Sequence, residues 1–442
     1  MLTPEENELI TRVGPDAPMG RVLRRYWLPL VLSEEVETDG APLRVRLLGE
    51  DLIAFRDTNG DVGLVDAYCP HRRAPMFFGR NEDCGLRCVY HGWKFDKSGA
   101  CVDMPSEPPD SLFKTKVSIA AYPCRERNGV VWAYLGPAPA PELPAIEWNL
   151  VPADQRYATK RVQYSNWVQA VEGGIDPSHS GFLHAPLATG STDVRDRFYL
   201  RQKNPSFALL ETDYGLRIGT QREADERHDF WSITHFLMPF YNAFARPNGG
   251  PDPCVGGFAW VPMDDHTTMA WCFTWNPTRP LQRSEIEEDD HVRRLGGGVH
   301  MRPKVDFLPP TSEPGGAFRP IGRRSNDYLV DREAQRTKRF AGVPGLSLQD
   351  VSLQEGMGPI CDRSKEHLGT SDTAIIAARR LWLRAARAAG DASVRPLGAG
   401  AAESYHVRAV GALHPKGADW TEAAVDWITA RPGAVAPGLP AS

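Results

Sequence analysis

The sequence lacks what would carry it to a membrane or to nucleic acid. No apolar run in its 442 residues approaches the roughly 20 needed to span a bilayer. Acids and bases are interspersed and the formal net charge is −5, so no basic patch points to nucleic acid or an anionic surface. Eight cysteines are too few for a disulfide scaffold of this length. The opening MLTPEENELI has neither a basic leader nor an apolar stretch, so the expectation is a cytoplasmic protein. In a reducing compartment, cysteines close to histidines point to metal rather than to disulfides. The same opening reads as a helix start: Thr3 caps, Pro4 suits the first helical position, and Glu6 closes a capping box.

What is present is a globular balance, 41% apolar and 24% charged, in a chain longer than one ordinary core. Two domains are expected. An N-terminal helix and lead-in occupy 1–40. A β-rich module follows over 41–145, with PLRVRLLGEDLIAFRD as a hairpin around Gly49-Glu50-Asp51, then VGLVDAY and LRCVYHGWKFD. The proline-rich GPAPAPELPAIEWN (136–149) reads as a linker. A second domain runs over 150–400. It has a helix through NWVQAVEGG (166–174), alternating strands in YGLRIGTQRE, FWSITHFLMPFYNAFA and GGFAWVPMDDHTTMAWCFTW, and a helix over 372–390. Residues 401–442 form a weakly patterned tail. The fold class is α+β.

Two loops beside the strands each offer one thiolate and one imidazole, Cys69 with His71 and Cys88 with His91. Such a quartet can hold one zinc or one [2Fe–2S] cluster. Zinc sites usually pair like with like, whereas here the order alternates. That suits a Rieske cluster, with both cysteines on one iron and both histidines on the other; neutral imidazole raises its potential above an all-cysteine ferredoxin. Pro70 stiffens the first loop, Gly92 lets backbone amides approach the sulfurs, and Trp93 shields them. The alternatives are a structural zinc or four unrelated residues. Cys84 and Cys101 fall outside the spacing and read as packing residues.

A second group lies in NWVQAVEGGIDPSHSGFLH (166–184). On an ideal helix Asp176 and His179 share a side, while His184 points roughly 140° from His179. One ion reaches both histidines only if the helix ends or distorts between them, and Gly173-Gly174 and Pro177 permit that. Two histidines and one carboxylate make the facial triad of non-haem Fe(II), with positions left open for O2 and water. The carboxylate is sought in SLQDVSLQEGMGPICDRSKEHLG (347–369). Asp350 stands among Leu348, Val351 and Leu353, where an unpaired acid is costly. Glu355 and Asp362 compete, Asp362 from a solvated polar run.

Taken together, Cys69-x-His71, Cys88-x2-His91, Asp176-x2-His179-x4-His184 and Asp350 resemble the large subunits of Rieske non-haem iron aromatic-ring-hydroxylating oxygenases, over nearly the whole chain to about residue 390. The wording of VDAYCPHRRAPMFFGRNEDCGLRCVYHGWKFD and NDYLVDREAQR resembles the phthalate dioxygenase branch, which acts on aromatic carboxylates. The resemblance implies a β-rich Rieske domain followed by an antiparallel-sheet catalytic domain flanked by helices. It implies that Cys69, His71, Cys88 and His91 bind the cluster and that His179, His184 and Asp350 bind the mononuclear iron. Asp176 would accept hydrogen bonds from His179 and, across a subunit boundary, from a neighbour's His91, in a homotrimer or hexamer. Many dihydroxylating relatives carry Glu-Asn where this chain has Glu172-Gly173, which removes a polar group near the iron.

The implied activity is cis-dihydroxylation of an aromatic carboxylate with O2, NADH entering through a flavin and [2Fe–2S] reductase. A carboxylated substrate needs a cation in an apolar pocket, and Arg217, Arg222 and Arg246 are the candidates. Ser232 stands where related chains often have arginine. Phe182, Phe236, Phe240 and Tyr241 are open to either pocket or core. Two rivals remain: a Rieske monooxygenase of the O-demethylase type, and an electron carrier whose second domain only binds.

Overall fold

The computed structural model describes residues 1–185, 187, 198, 202–245, 254–282, 285, 307–391 and 393–431. The opening helix, Pro4–Thr11, forms as its sequence predicts: Thr3 Oγ1 accepts from the Glu6 N–H and Glu6 Oε2 from the Thr3 N–H, both at 3.2 Å.

Ten short strands then build the N-terminal module: β1 (Trp27–Leu32), β2 (Leu43–Leu47), β3 (Glu50–Arg56), β4 (Val62–Asp66), β5 (Arg80–Glu82), β6 (Gly85–Arg87), β7 (Lys94–Phe95), β8 (Cys101–Asp103), β9 (Cys124–Arg127) and β10 (Val130–Tyr134). They pair antiparallel as β1-β10-β9, β2-β3-β4 and β5-β6-β7-β8. The β2–β3 hairpin turns at Leu48-Gly49, one or two residues before the expected position, because both adopt the positive φ of a tight two-residue turn. Ile53, Phe55, Val65, Leu86, Phe95 and Cys101 close a small core under the two Cys/His loops. Cys101 packs there as expected. Cys84 instead occupies the β5–β6 turn with φ 59° and is half-buried.

The segment read as a linker is pinned down. Trp148 is buried, and Glu147 accepts from Trp275 Nε1 at 2.8 Å and pairs with Arg408.

The second domain is one antiparallel sheet made of β11 (Arg156–Gln163), β12 (Ser206–Glu211), β13 (Gly215–Glu223), β14 (His228–Leu237), β15 (Tyr241–Ala245), β16 (Val255–Pro262), β17 (Thr268–Trp275) and β18 (Val410–Pro415). Its order is β11-β17-β16-β15-β14-β13-β12. The long strand β14 pairs β15 through 235–237 and β18 through 228–233. Residues 410–415, read as tail, therefore belong to this sheet. Its hairpins follow the expected alternation, which puts Arg161, Trp260, Phe258, Asn242, Phe244, Thr234, Ser232 and Ile218 on one face. Helices Trp167–Gly174, Leu346–Gly356 and Thr373–Arg387 complete the domain. The Trp167 and Trp382 rings meet edge to face at 5.2 Å. Among the described residues, no helix is long and apolar enough to cross a membrane.

Candidate metal centres and the adjoining cavity

The two Cys/His loops share one backbone design. The Arg73 N–H donates to the Cys69 carbonyl and the Gly92 N–H to the Cys88 carbonyl, both at 2.9 Å. Each loop then turns through a positive φ, 57° at Arg73 and 77° at Gly92. At Gly92 the conformation favours glycine, and a Cβ there would lie 2.7 Å from Pro105. The loops bury the thiols, 1% exposed at Cys69 and 3% at Cys88, while His71 is exposed and His91 half-buried. The histidine rings stand 4.5 Å apart, and His71 stacks on buried Trp93 at 4.4 Å. Burial pushes the Cys69 thiol up to about 11, and Cys88 beside it adds to the rise.

A tetrahedral zinc would hold its donors within about 3.8 Å of one another. Among the described residues, only His179, His184 and Asp350 form a group of three donors all within 4.8 Å. The quartet is spread wider than one ion's shell, so thiols inside and imidazoles outside fit a two-iron cluster better than zinc.

The second centre begins where a helix stops. Asn166 caps helix Trp167–Gly174 by accepting from the Val168 N–H. After Gly174 the chain turns about Asp176, whose Oδ1 accepts from the Ser178 N–H at 2.8 Å, and enters a short 3-10 turn, His179–Gly181. The break thus precedes Asp176 instead of falling between the histidines, and both imidazoles leave irregular backbone. His179 Nε2 and His184 Nε2 are 3.2 Å apart, and Asp350 Oδ1 from helix Leu346–Gly356 lies 3.5 and 3.3 Å from them. Three donors at these separations fit one ion with bonds of about 2.1 Å, its far side open. Burial alone lowers His179, but Asp176 and Asp350 outweigh it and push it up to about 9. Burial opposes the Asp350 carboxylate, yet His184, His179 and Arg161 hold it below its ordinary range.

The competing acids have other work. Glu355 accepts from the Tyr164 N–H and the Tyr328 hydroxyl, and Asp362 pairs with Lys365 on the surface. Asp176 Oδ2 lies 3.4 Å from His179 Nδ1. Gln349, unnoticed in the sequence, places Oε1 2.7 Å from His184 Nδ1. A Cβ at Gly173 would lie 2.2 Å from Gln354 Nε2. The polar group missing at 173 is thus replaced by an amide from another helix.

A cavity of about 150 Å³ adjoins the triad, walled by Phe244, Phe258, Trp260 and Ile218, with Ser232 and Thr234 at its side. Neither Arg217 nor Arg222 lines it. Arg217 alternates to the opposite sheet face, beside Tyr214 and His235, because its neighbour Ile218 takes the cavity side. Arg222 shares the cavity face but donates to the Pro177 carbonyl at 3.2 Å, steadying the backbone next to Asp176. Arg246 lies outside the described residues. Phe236, Phe240 and Tyr241 are core, and Phe182 packs on Phe340. Among the described residues, the arginine that lines the cavity is Arg161. Its only signal was its place in the polar strand RYATKRVQ, where alternation could not tell it from Lys160, which pairs Glu35 from the other face.

Comparison with known proteins agrees with both centres. Residues 26–123 match the Rieske [2Fe–2S] domain and 133–436 the LigXa C-terminal domain like family. The 3-chlorobenzoate-3,4-dioxygenase oxygenase subunit of Comamonas testosteroni is 39% identical over 96% of this chain and 98% of its own. The phthalate 4,5-dioxygenase oxygenase subunit of Pseudomonas putida is 39% identical over 89% of each. The 5,5'-dehydrodivanillate O-demethylase oxygenase subunit of a Sphingobium species is 34% identical over 87% of this chain and 80% of its own. Among solved structures, dicamba monooxygenase bound to dicamba shares the fold at TM-score 0.57 and 17% identity, over 83% of this chain and 98% of its own. A carbazole 1,9a-dioxygenase oxygenase in complex with its ferredoxin shares it at TM-score 0.52 and 20% identity, over 86% and 91%. The electron-carrier reading falls, because the similarity runs through the catalytic domain of enzymes. The chain belongs to the Rieske non-haem iron aromatic-ring-hydroxylating oxygenases, as an oxygenase subunit with a Rieske [2Fe–2S] cluster, a mononuclear iron and a redox partner that reduces it.

Proposed function

We propose that this chain is the terminal oxygenase that cis-dihydroxylates a single-ring aromatic carboxylate, a phthalate or substituted benzoate. The observation that carries the reading is the donor triad adjoining a cavity of about 150 Å³, a size that admits one benzene ring. The relatives named for 3-chlorobenzoate and phthalate dioxygenation support the carboxylate.

In this reading Cys69 and Cys88 hold one cluster iron and His71 and His91 the other, while His179, His184 and Asp350 hold the mononuclear iron. The two centres supply single electrons and the activation of O2. The chain's own residues position and enclose. Asp176 accepts the His179 Nδ1–H and fixes its ring. Phe244, Phe258 and Trp260 exclude water and cover the arene. The reaction balances as arene, O2, NADH and one proton going to cis-dihydrodiol and NAD+, both oxygens ending on adjacent ring carbons. NADH enters through a flavin and [2Fe–2S] reductase, in the cytoplasm, in the catabolism of aromatic compounds.

Assembly is proposed as a homotrimer, or a hexamer of two, in which His91 of a second copy approaches Asp176. Exposed apolar residues beside His91, Tyr90 at 57% and Val89 among them, support burial of this tip against another copy.

Turnover under isotopically labelled O2 tests the chemistry. A benzoate or phthalate product should carry two labelled oxygens on one diol. The second reading, O-demethylation, is favoured by the 34% identical demethylase relative. An aryl ether that loses its methyl as formaldehyde and leaves an unlabelled phenol, which keeps the ether oxygen, would establish it instead.

A further inference from the structure

The cavity beside the triad contains donors that have no partner among the described residues. Arg161 leaves strand β11, is 5% exposed and lines the cavity. Its Nη2 reaches Gln163 Oε1 only at 3.5 Å, and among the described residues its Nε and Nη1 have no hydrogen-bond partner. Ser347, at the start of helix Leu346–Gly356, lines the same cavity and is buried, and its Oγ equally has no partner among the described residues.

The acids within electrostatic range of Arg161 are engaged elsewhere. Asp350 faces the two histidines, and Glu355 accepts from Tyr164 and Tyr328. A buried guanidinium with no carboxylate hydrogen-bonded to it is costly, and an arriving anion offsets that cost. Guanidinium is also the side chain best matched to a carboxylate. The register Arg161–Ala270–Trp260 places the indole two strands away on the same face, about 10 Å across the sheet.

We propose that Arg161 receives the substrate's carboxylate, with Ser347 Oγ as a second donor, while Phe244, Phe258 and Trp260 hold the ring. Anchored at the β11 side, the ring presents its other carbons to the triad, so Arg161 is a specificity-determining residue. This inference rests on the aromatic-carboxylate reading above.

The test is calorimetric binding to the anaerobic, reduced holoenzyme, with metal content measured for every variant. The probes are benzoate, 3-chlorobenzoate and phthalate, with 3-chlorobenzamide as the uncharged counterpart. The wild type should bind at least one acid more tightly than the amide. Arg161→Gln should weaken that acid at least tenfold and leave the amide within about threefold. Arg161→Lys should lie between, and Ser347→Ala should weaken the acid by less than Arg161→Gln does. If Arg161→Gln binds the acid like the wild type, or weakens acid and amide equally, the assignment is overturned and the carboxylate reading stands. If the wild type itself prefers the amide to every acid, the carboxylate reading falls and takes this assignment with it. Should Arg161→Gln fail to load its metals, Arg161→Lys and Ser347→Ala decide by the same acid-to-amide ratio.

Discussion

At the scale of single residues, one amide shows how the centre chooses its protons. Gln349 Nε2 donates to the Val343 carbonyl at 2.9 Å, so its Oε1 is the atom turned to His184 Nδ1. That nitrogen must then carry the hydrogen, and Nε2 keeps its lone pair for a metal. Asp176 imposes the same tautomer on His179. Partners of this kind set ligand orientation and basicity. Gln349→Leu is expected to lower ferrous-iron affinity about 10- to 100-fold, read by competition with a chelator, and to leave the cluster's visible spectrum unchanged.

At the scale of elements, the helix that leads into the iron motif is held by buried charge. Glu172 accepts from Arg363 Nε and Nη2 and from Arg379 Nε, at 2.6–3.2 Å. Arg379 also pairs Glu366, and Arg363 donates to Asn7 of the opening helix. Burial works against the Glu172 carboxylate, but the two arginines hold it below its ordinary range. A carboxyl depressed in the folded state adds stability that is complete above the unfolded value of about 4.3. That stability is lost as pH falls through the folded value. Glu172→Gln leaves two buried arginines facing one acid and is expected to cost about 3–5 kcal/mol in denaturant unfolding at pH 7. The variant's stability should also fall less steeply than the wild type's below pH 4.3.

At the scale of the whole molecule, the two centres give a count. With a two-iron cluster and one further ion, purified holoenzyme should contain three irons and two acid-labile sulfides per chain. Asp350→Ala should leave two irons and the full sulfide, measured by metal and sulfide assay on one sample. Two irons in the wild type would remove the mononuclear site.

Much of this was legible because the chemistry is local in sequence. Cys69 with His71, Cys88 with His91, and Asp176 with His179 and His184 each lie within nine residues, so spacing alone restricts what they can bind. The strand hairpins were equally plain, since alternation and turn residues act between neighbours. What spans long stretches of chain was not. Asp350 could be ranked above Glu355 and Asp362 only by its apolar neighbours. Gln349 meets His184 across 165 residues. β18 joins β14 from the segment read as tail. Arg217 and Arg161 both sit on alternating strands, and only the packing of the sheet against its helices decided that Arg161 faces the cavity. Periodicity tells which residues share a face; which face is covered, and by what, is decided when distant elements bury each other.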